Sequence, residues 1–244
     1  MTEHFVIAGA QRSATSWLAS VLDRHPDIAM ARPLRPEPKY FLRDAPDDAA
    51  AYRDAFFAGT DAAVLGEKST SYIEHPAAAA RIARCLPGAR VVFMLRDPVE
   101  RAISNWRFST ANGLETLPLE AALEAEAARL AAGGTAGTSV SPFAYMARGR
   151  YVDYLAPWRA AFPDDRMALL VTEATVGNGD AVRALLGWLG VDPGAVPPDL
   201  DAPVNASPGI DDVPPGVRAR LRETFAAPNR ALADAHGVDT GRWQ

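Results

Sequence analysis

Three nearly unbroken apolar runs mark out the chain: Phe5 to Ala8, the ARVVFML run from Ala89 to Leu95, and MALLVT from Met167 to Thr172. Runs of this length, bounded by turn residues and lacking polar alternation, read as strands buried on both faces. Shorter strands are expected at Ile28–Ala31 and from Val64 onward. Between them the apolar positions change to helical spacing. Trp17, Leu18, Val21 and Leu22 share one face of a segment from Thr15 to Asp23. Val99, Ala102, Ile103 and Trp106 do the same after the second run, as do Val152, Leu155, Trp158 and Phe162 before the third. Further helices are expected over 49–57, 76–86, 117–132, 181–189 and 217–235. Strands and helices in alternation predict an α/β protein, a three-layer α/β/α domain with a central parallel sheet and helices on both faces.

The breaks between these elements have their own chemistry. His25-Pro26-Asp27 stops the first helix, because proline cannot continue the backbone ladder. The stretch from Arg32 to Phe41 contains Pro33, Pro36 and Pro38, which enforce an extended path. It presents Arg35, Glu37 and Lys39 just past a strand end, either as a carboxylate held in a fixed place or as a solvated charged loop. Gly133 to Ser141 reads as a lid or a linker. Asp192 to Pro215 is a proline-rich excursion that includes Asn205-Ala206-Ser207.

Composition narrows the possibilities. The chain has 244 residues and a formal net charge of −5, which suits one domain over 1–244 and argues against general electrostatic binding of nucleic acid. An anionic ligand must then be held by local charge. The one cysteine, Cys85, excludes an intramolecular disulfide framework and a cysteine-based metal site. The N-terminus lacks the basic and long apolar parts of a signal peptide, and no apolar run reaches the length of a membrane span. A soluble, cytoplasmic protein without a stable membrane anchor is the expectation.

Phe5 to Trp17, FVIAGAQRSATSW, joins the first strand to the first helix. Such a turn directs free N–H groups and the positive helix end at one point, where Arg12, Ser13, Thr15 and Ser16 can add donors for a phosphate. An ordinary βα connection has the same outline. The nucleotide-triphosphate loop ends in Gly-Lys-Ser/Thr, and here Arg12-Ser13-Ala14-Thr15-Ser16 stands instead, with a planar fork in place of a point charge. Arg96 follows the second long strand, with Asp97 as N-cap and Pro98 in the first helical turn. It therefore lies where open α/β sheets bind ligands.

The ordered set GAQRSATSWL, HPD, PEPKYF, GEKSTSY, VVFMLRDPVERAISNW and RGRYVDYLAPW, followed by a strand ending at Glu173, resembles the sulfotransferases that use 3′-phosphoadenosine 5′-phosphosulfate (PAPS). The likeness is greatest to the branch that holds heparan-sulfate sulfotransferases and many bacterial members. It implies a P-loop-like fold, PAPS as sulfuryl donor, 3′-phosphoadenosine 5′-phosphate (PAP) as product, and no required metal. It places Arg12, Ser13, Ala14, Thr15 and Ser16 on the 5′-phosphosulfate, and Arg96 and Ser104 on the 3′-phosphate. Glu37 becomes the catalytic base, with Arg12 neutralising charge at the transferred group. Lys39, Lys68, Ser71, Tyr145, Arg148 and Tyr151 become contacts for a small-molecule, lipid or glycan acceptor, and His75 is the rival base. This chain departs from the family pattern at Ala14, where many members have glycine, and at Pro36, where lysine is common. It also has Asn205-Ala206-Ser207 in place of a late cationic Gly loop. A small-molecule kinase or a non-catalytic nucleotide-binding relative is the alternative.

Overall fold

The structure is a computed structural model that describes residues 3–43, 48–133, 139–200 and 213–243. Among these residues, β1 (Glu3–Gly9), β2 (Ile28–Met30), β3 (Val64–Lys68), β4 (Arg90–Leu95) and β5 (Met167–Val171) form one parallel sheet in the order β2-β3-β1-β4-β5. The helices are α1 (Thr15–Leu22), α2 (Ala49–Phe57), α3 (Pro76–Cys85), α4 (Pro98–Ala111), α5 (Leu119–Ala131), α6 (Val152–Ala161), the single turn α7 (Thr172–Thr175), α8 (Gly179–Leu189) and α9 (Pro215–His236).

The apolar runs are continuous because alternate side chains feed two cores. Val6, Ala8, Val91, Phe93 and Leu95 point to the face covered by α3 and α6, where Ile82, Leu155 and Trp158 are buried with Cys85. Phe5, Ile7, Val92 and Met94 point to the other face, against Leu18 and Val21 of α1 and Leu185 and Leu189 of α8. A third cluster joins α4, α5 and α9 through Ile103, Leu123, Leu221 and Phe225. The three-layer α/β/α expectation describes this arrangement.

One close approach within the sheet requires glycine. A Cβ on Gly66 would lie 2.2 Å from Phe5 Cζ and 2.6 Å from Met30 Sδ. Neighbouring strands thus lay large side chains across this position, which only a hydrogen can share with them.

The strand order places the site. From β1 the chain crosses to β2 and β3 on one side, and only after α3 does it return to β4 on the other. The carboxyl ends of β1 and β4 therefore border the point where the winding reverses, the ligand crevice of open α/β sheets. Among the described residues no helix is long and apolar enough to cross a membrane.

Candidate active site

The loop from β1 to α1 is held on two sides. Ala10 N–H donates to the Met94 carbonyl at 2.9 Å, and Thr172 Oγ1, just beyond β5, donates to the Ser13 carbonyl at 3.1 Å. The strand expected to reach Thr172 ends at Val171, and Thr172 instead opens α7. Within the loop Arg12 and Ala14 adopt the left-handed conformation, at φ 67° and 58°. Ala14 is the N-cap of α1 and makes no side-chain cap, so the first N–H groups of the helix have no local acceptor from it.

Cations gather at this helix end. Arg12 Nε donates to Ser104 Oγ at 3.1 Å, its guanidinium lies 4.7 Å from the centre of the Phe108 ring, and Arg96 Nη1 donates to the Arg12 carbonyl at 3.3 Å. Burial, and then the charge of Arg96, lower the Arg12 pKa to about 10. Two guanidinium groups near one helix N-terminus are a disfavoured grouping that an anion relieves. Arg96 is fixed through its backbone. Tyr151 Oη donates to the Arg96 carbonyl at 2.8 Å, and the next amide, Asp97 N–H, donates to Glu173 Oε1 at 2.9 Å. Glu173 Oε2 in turn accepts from Trp243 Nε1 at 3.0 Å. Asp97 caps α4 as expected, its Oδ1 accepting from Val99 N–H at 2.9 Å.

Facing this loop across a cavity of about 430 Å³ is Glu37, half-buried in the proline-rich stretch. Lys68 Nζ donates to Glu37 Oε1 at 2.5 Å, Thr70 N–H donates to Oε2 at 3.0 Å, and Thr70 Oγ1 lies 3.0 and 3.1 Å from the two oxygens. The carboxylate is thus gripped by the end of β3, in a short charge-assisted contact. Lys39, also on the wall, has φ 50°. Among the described residues the non-glycine residues with positive φ are Arg12, Ala14 and Lys39, and all three belong to the segments that face each other here. Strained backbone of this kind persists where the surroundings over-determine it.

The structure separates the sequence candidates. Arg12, Thr15, Ser16, Glu37, Lys39, Lys68 and Arg148 line the cavity. Ser104 and Arg96 lie behind Arg12 and touch it. Ser13 and Ala14 shape the loop from within, Ser13 being fully buried.

Three acceptor-contact candidates are corrected, since none lines this cavity. Ser71 is buried, Tyr145 is buried with its hydroxyl donating to Glu115 Oε2 at 2.8 Å, and Tyr151 is the anchor of Arg96. Arg148 reaches the wall but is committed elsewhere, to Glu74 at 2.6 Å, Asn105 Oδ1 at 2.7 Å and the Ser141 carbonyl at 2.7 Å. His75 lies off the wall, its Nε2 3.2 Å from the Ser139 carbonyl. Asn205-Ala206-Ser207 falls outside the described residues, as do residues 134–138 of the expected lid or linker. Sequence reasoning missed Thr70 and Phe108. The alternation 68, 70 along a strand end and the i, i+4 step from Ser104 to Phe108 were the available signals.

Fold and site together define an α/β protein with a cationic loop at the carboxyl edge of its sheet and a carboxylate set opposite. A family model described as "Sulfotransferase family" matches residues 41–192. The chain belongs to the sulfotransferase family, an enzyme family with a P-loop-like fold. The match begins after the Arg12 loop and Glu37, so those two assignments rest on the geometry and the motifs.

Among curated proteins, the chain is 29% identical over 187 residues to heparan sulfate glucosamine 3-O-sulfotransferase 3A1 of Mus musculus, covering 76% of this chain and 45% of the relative. It is 31% identical over 175 residues to heparan sulfate glucosamine 3-O-sulfotransferase 6 of Homo sapiens, covering 71% and 47%. The chain therefore spans less than half the length of these relatives. A solved sulfotransferase from Alicyclobacillus acidocaldarius superposes with a TM-score of 0.82 at 24% identity, over 100% of this chain and 99% of that one. A mouse sulfotransferase solved with PAP gives 0.59 at 16% identity, over 99% and 87%. Both share the fold.

Proposed function

We propose that the protein transfers a sulfuryl group from PAPS to a hydroxyl or amine of a small-molecule, lipid or carbohydrate acceptor and releases PAP. The observation that carries this reading is a single cavity with the Arg12 cation on one wall and the Glu37 carboxylate on the other. PAPS, when bound, supplies the sulfuryl group and a phosphate leaving group. The Arg12 guanidinium and the α1 N-terminus neutralise the charge that builds up on the departing phosphate, while Arg96 and Ser104 hold the nucleotide's other phosphate. Glu37 takes the proton from the acceptor as its oxygen or nitrogen attacks sulfur, and the bond between sulfur and the leaving oxygen breaks in line. Lys68 and Thr70 keep the carboxylate in a fixed orientation for that transfer.

The acceptor side combines apolar Phe108, Leu114, Val140 and Pro142 with the cations Arg35 and Lys39. A cavity of about 430 Å³ suits a small acceptor or one end of a longer one. Incubation with labelled PAPS and a metabolite extract, read by mass spectrometry for an added sulfuryl group, tests the reading. Label should appear in at least one product with the native protein and be lost with Glu37→Gln. Undiminished transfer by that variant would remove Glu37 from the role of base.

A further inference from the structure

Glu67 lies one residue before Lys68 on β3, fully buried and absent from the cavity wall. Three hydroxyls donate to it: Tyr52 Oη to Oε2 at 2.8 Å, and Ser69 Oγ and Tyr72 Oη to Oε1 at 2.6 Å each. Two of those hydroxyls are themselves acceptors from the backbone of the proline-rich stretch. Lys39 N–H donates to Ser69 Oγ at 2.9 Å, and Phe41 N–H donates to Tyr72 Oη at 3.1 Å. A hydroxyl has one proton, and an amide can only donate. With an amide proton already directed at each oxygen, the Ser69 and Tyr72 protons are turned toward Glu67 Oε1, which accepts from both.

We propose that Glu67 is a positioning residue that acts through Ser69 and Tyr72 to fix the backbone of residues 39–41 and so to set Glu37 and Lys39 against the Arg12 loop. The inference rests on the assignment of Glu37 to the acceptor side given above. Strand alternation makes the device possible. Lys68 and Thr70 grip the Glu37 side chain, while Glu67 and Ser69, of the opposite parity, grip the main chain from beneath. Lys39, held in the left-handed region, is one of the two amides anchored.

Burial pushes the Glu67 carboxyl upward and its three hydroxyl donors pull it back, with the Glu37 charge adding a smaller upward push. All three partners are neutral hydroxyls, so the buried carboxyl is satisfied only while they converge on it. A glutamine here would keep a carbonyl oxygen for Ser69 and Tyr72 and need only the Tyr52 hydroxyl to reverse, whereas a methionine of similar length would remove the acceptor from all three hydroxyls.

The test compares Glu67→Met, Ser69→Ala and Tyr72→Phe with Ser69→Thr, which keeps the hydroxyl. Hydrogen exchange of the Lys39 and Phe41 amides, PAP affinity by calorimetry, and label transfer from PAPS into a metabolite extract are measured on each folded variant. In Glu67→Met both amides should exchange at least about tenfold faster. Ser69→Ala should release the Lys39 amide alone and Tyr72→Phe the Phe41 amide alone. Label transfer should fall by about tenfold or more while the PAP dissociation constant stays within about twofold, with Ser69→Thr close to the native protein. Native exchange rates in Glu67→Met would overturn the proposal, and if that variant does not fold, native rates in both single hydroxyl variants would do so. Loss of PAP affinity in step with transfer, or an equal loss in Ser69→Thr and Ser69→Ala, would also overturn it, because either marks a general structural defect. If the native protein transfers no label while the amides respond as stated, the sulfuryl-transfer reading fails and the anchoring role stands.

Discussion

Replacing Arg12 with glutamine should abolish binding of PAP without weakening the ligand-free protein. Folding lowers the Arg12 pKa from its ordinary 12.5 to about 10, through burial first and the Arg96 charge second. Between those two values the unfolded chain binds more protons than the native one, so stability rises with pH there, and at neutral pH the native state bears the whole penalty. The depression corresponds to roughly 3 kcal/mol, or about 2 after allowance for the solvent that still reaches the group. Glutamine forfeits the hydrogen bond to Ser104, about 1 kcal/mol, and the contact with the Phe108 ring, about 0.5–1 kcal/mol. The ligand-free variant is therefore expected to equal the native protein or to exceed it by up to about 0.5 kcal/mol.

Urea unfolding, with and without PAP, measures this. At a hundred times the dissociation constant PAP stabilises the native protein by about 2.7 kcal/mol, a shift of about 1 M in midpoint for a slope of about 3 kcal/mol/M. The variant should not move. PAP affinity of the native protein should also fall as pH rises through about 10, where Arg12 loses its charge. A ligand-free variant weaker by more than about 1 kcal/mol, or equal stabilisation of both proteins by PAP, would refute the account of Arg12 as a functional cation held at the expense of stability.

Arg148→Met should destabilise the fold by about 3–5 kcal/mol, because it strands Glu74, Asn105 and the Ser141 carbonyl around a vacated guanidinium. Arg148→Lys should recover only part of this, since an ammonium cannot span all three, and a loss below about 1 kcal/mol in urea unfolding of Arg148→Met would contradict the strut. Gly66→Ala should cost about 2–3 kcal/mol by overpacking against Phe5 and Met30, read as a fall of about 5–10 °C in Tm. Ala14→Gly should relieve about 1–2 kcal/mol of left-handed strain against about 0.4–1 kcal/mol of added chain entropy, so Tm should rise by about 1–2 °C, and a fall would count against the strain.

The parts of this molecule legible in its sequence are those whose physics is local. Val91 to Leu95 could be read as a strand because both its faces are buried, and Arg96, Asp97 and Pro98 could be placed at its end because capping chemistry lies within three residues. The convergence of Arg12 with Ser104 needed the family resemblance, since 92 positions separate them. Tyr145 and Tyr151 misled because an aromatic hydroxyl serves equally well on a cavity wall or as a buried donor. Only the partners decide, Glu115 for one and the Arg96 carbonyl for the other. Arg148 is similar, its carboxylate being 74 residues away. Glu67 is not singled out by the sequence, because its role depends on two amides in a stretch that sequence pattern assigns to no element.

The two sides of the cavity differ in how they are built. The Arg12 loop grows from the strand with a neighbour on either edge and is tied to β4 and to the residue after β5, so changing its shape would mean disturbing three strands at once. The opposite side is assembled from separate pieces: the proline-rich stretch, one flank of α4 and residues near 140. Residues 37–41 are tied to the end of β3, but the flank of α4 and the residues near 140 can vary without the sheet noticing. The place to look for this enzyme's own acceptor preference is in those outlying pieces.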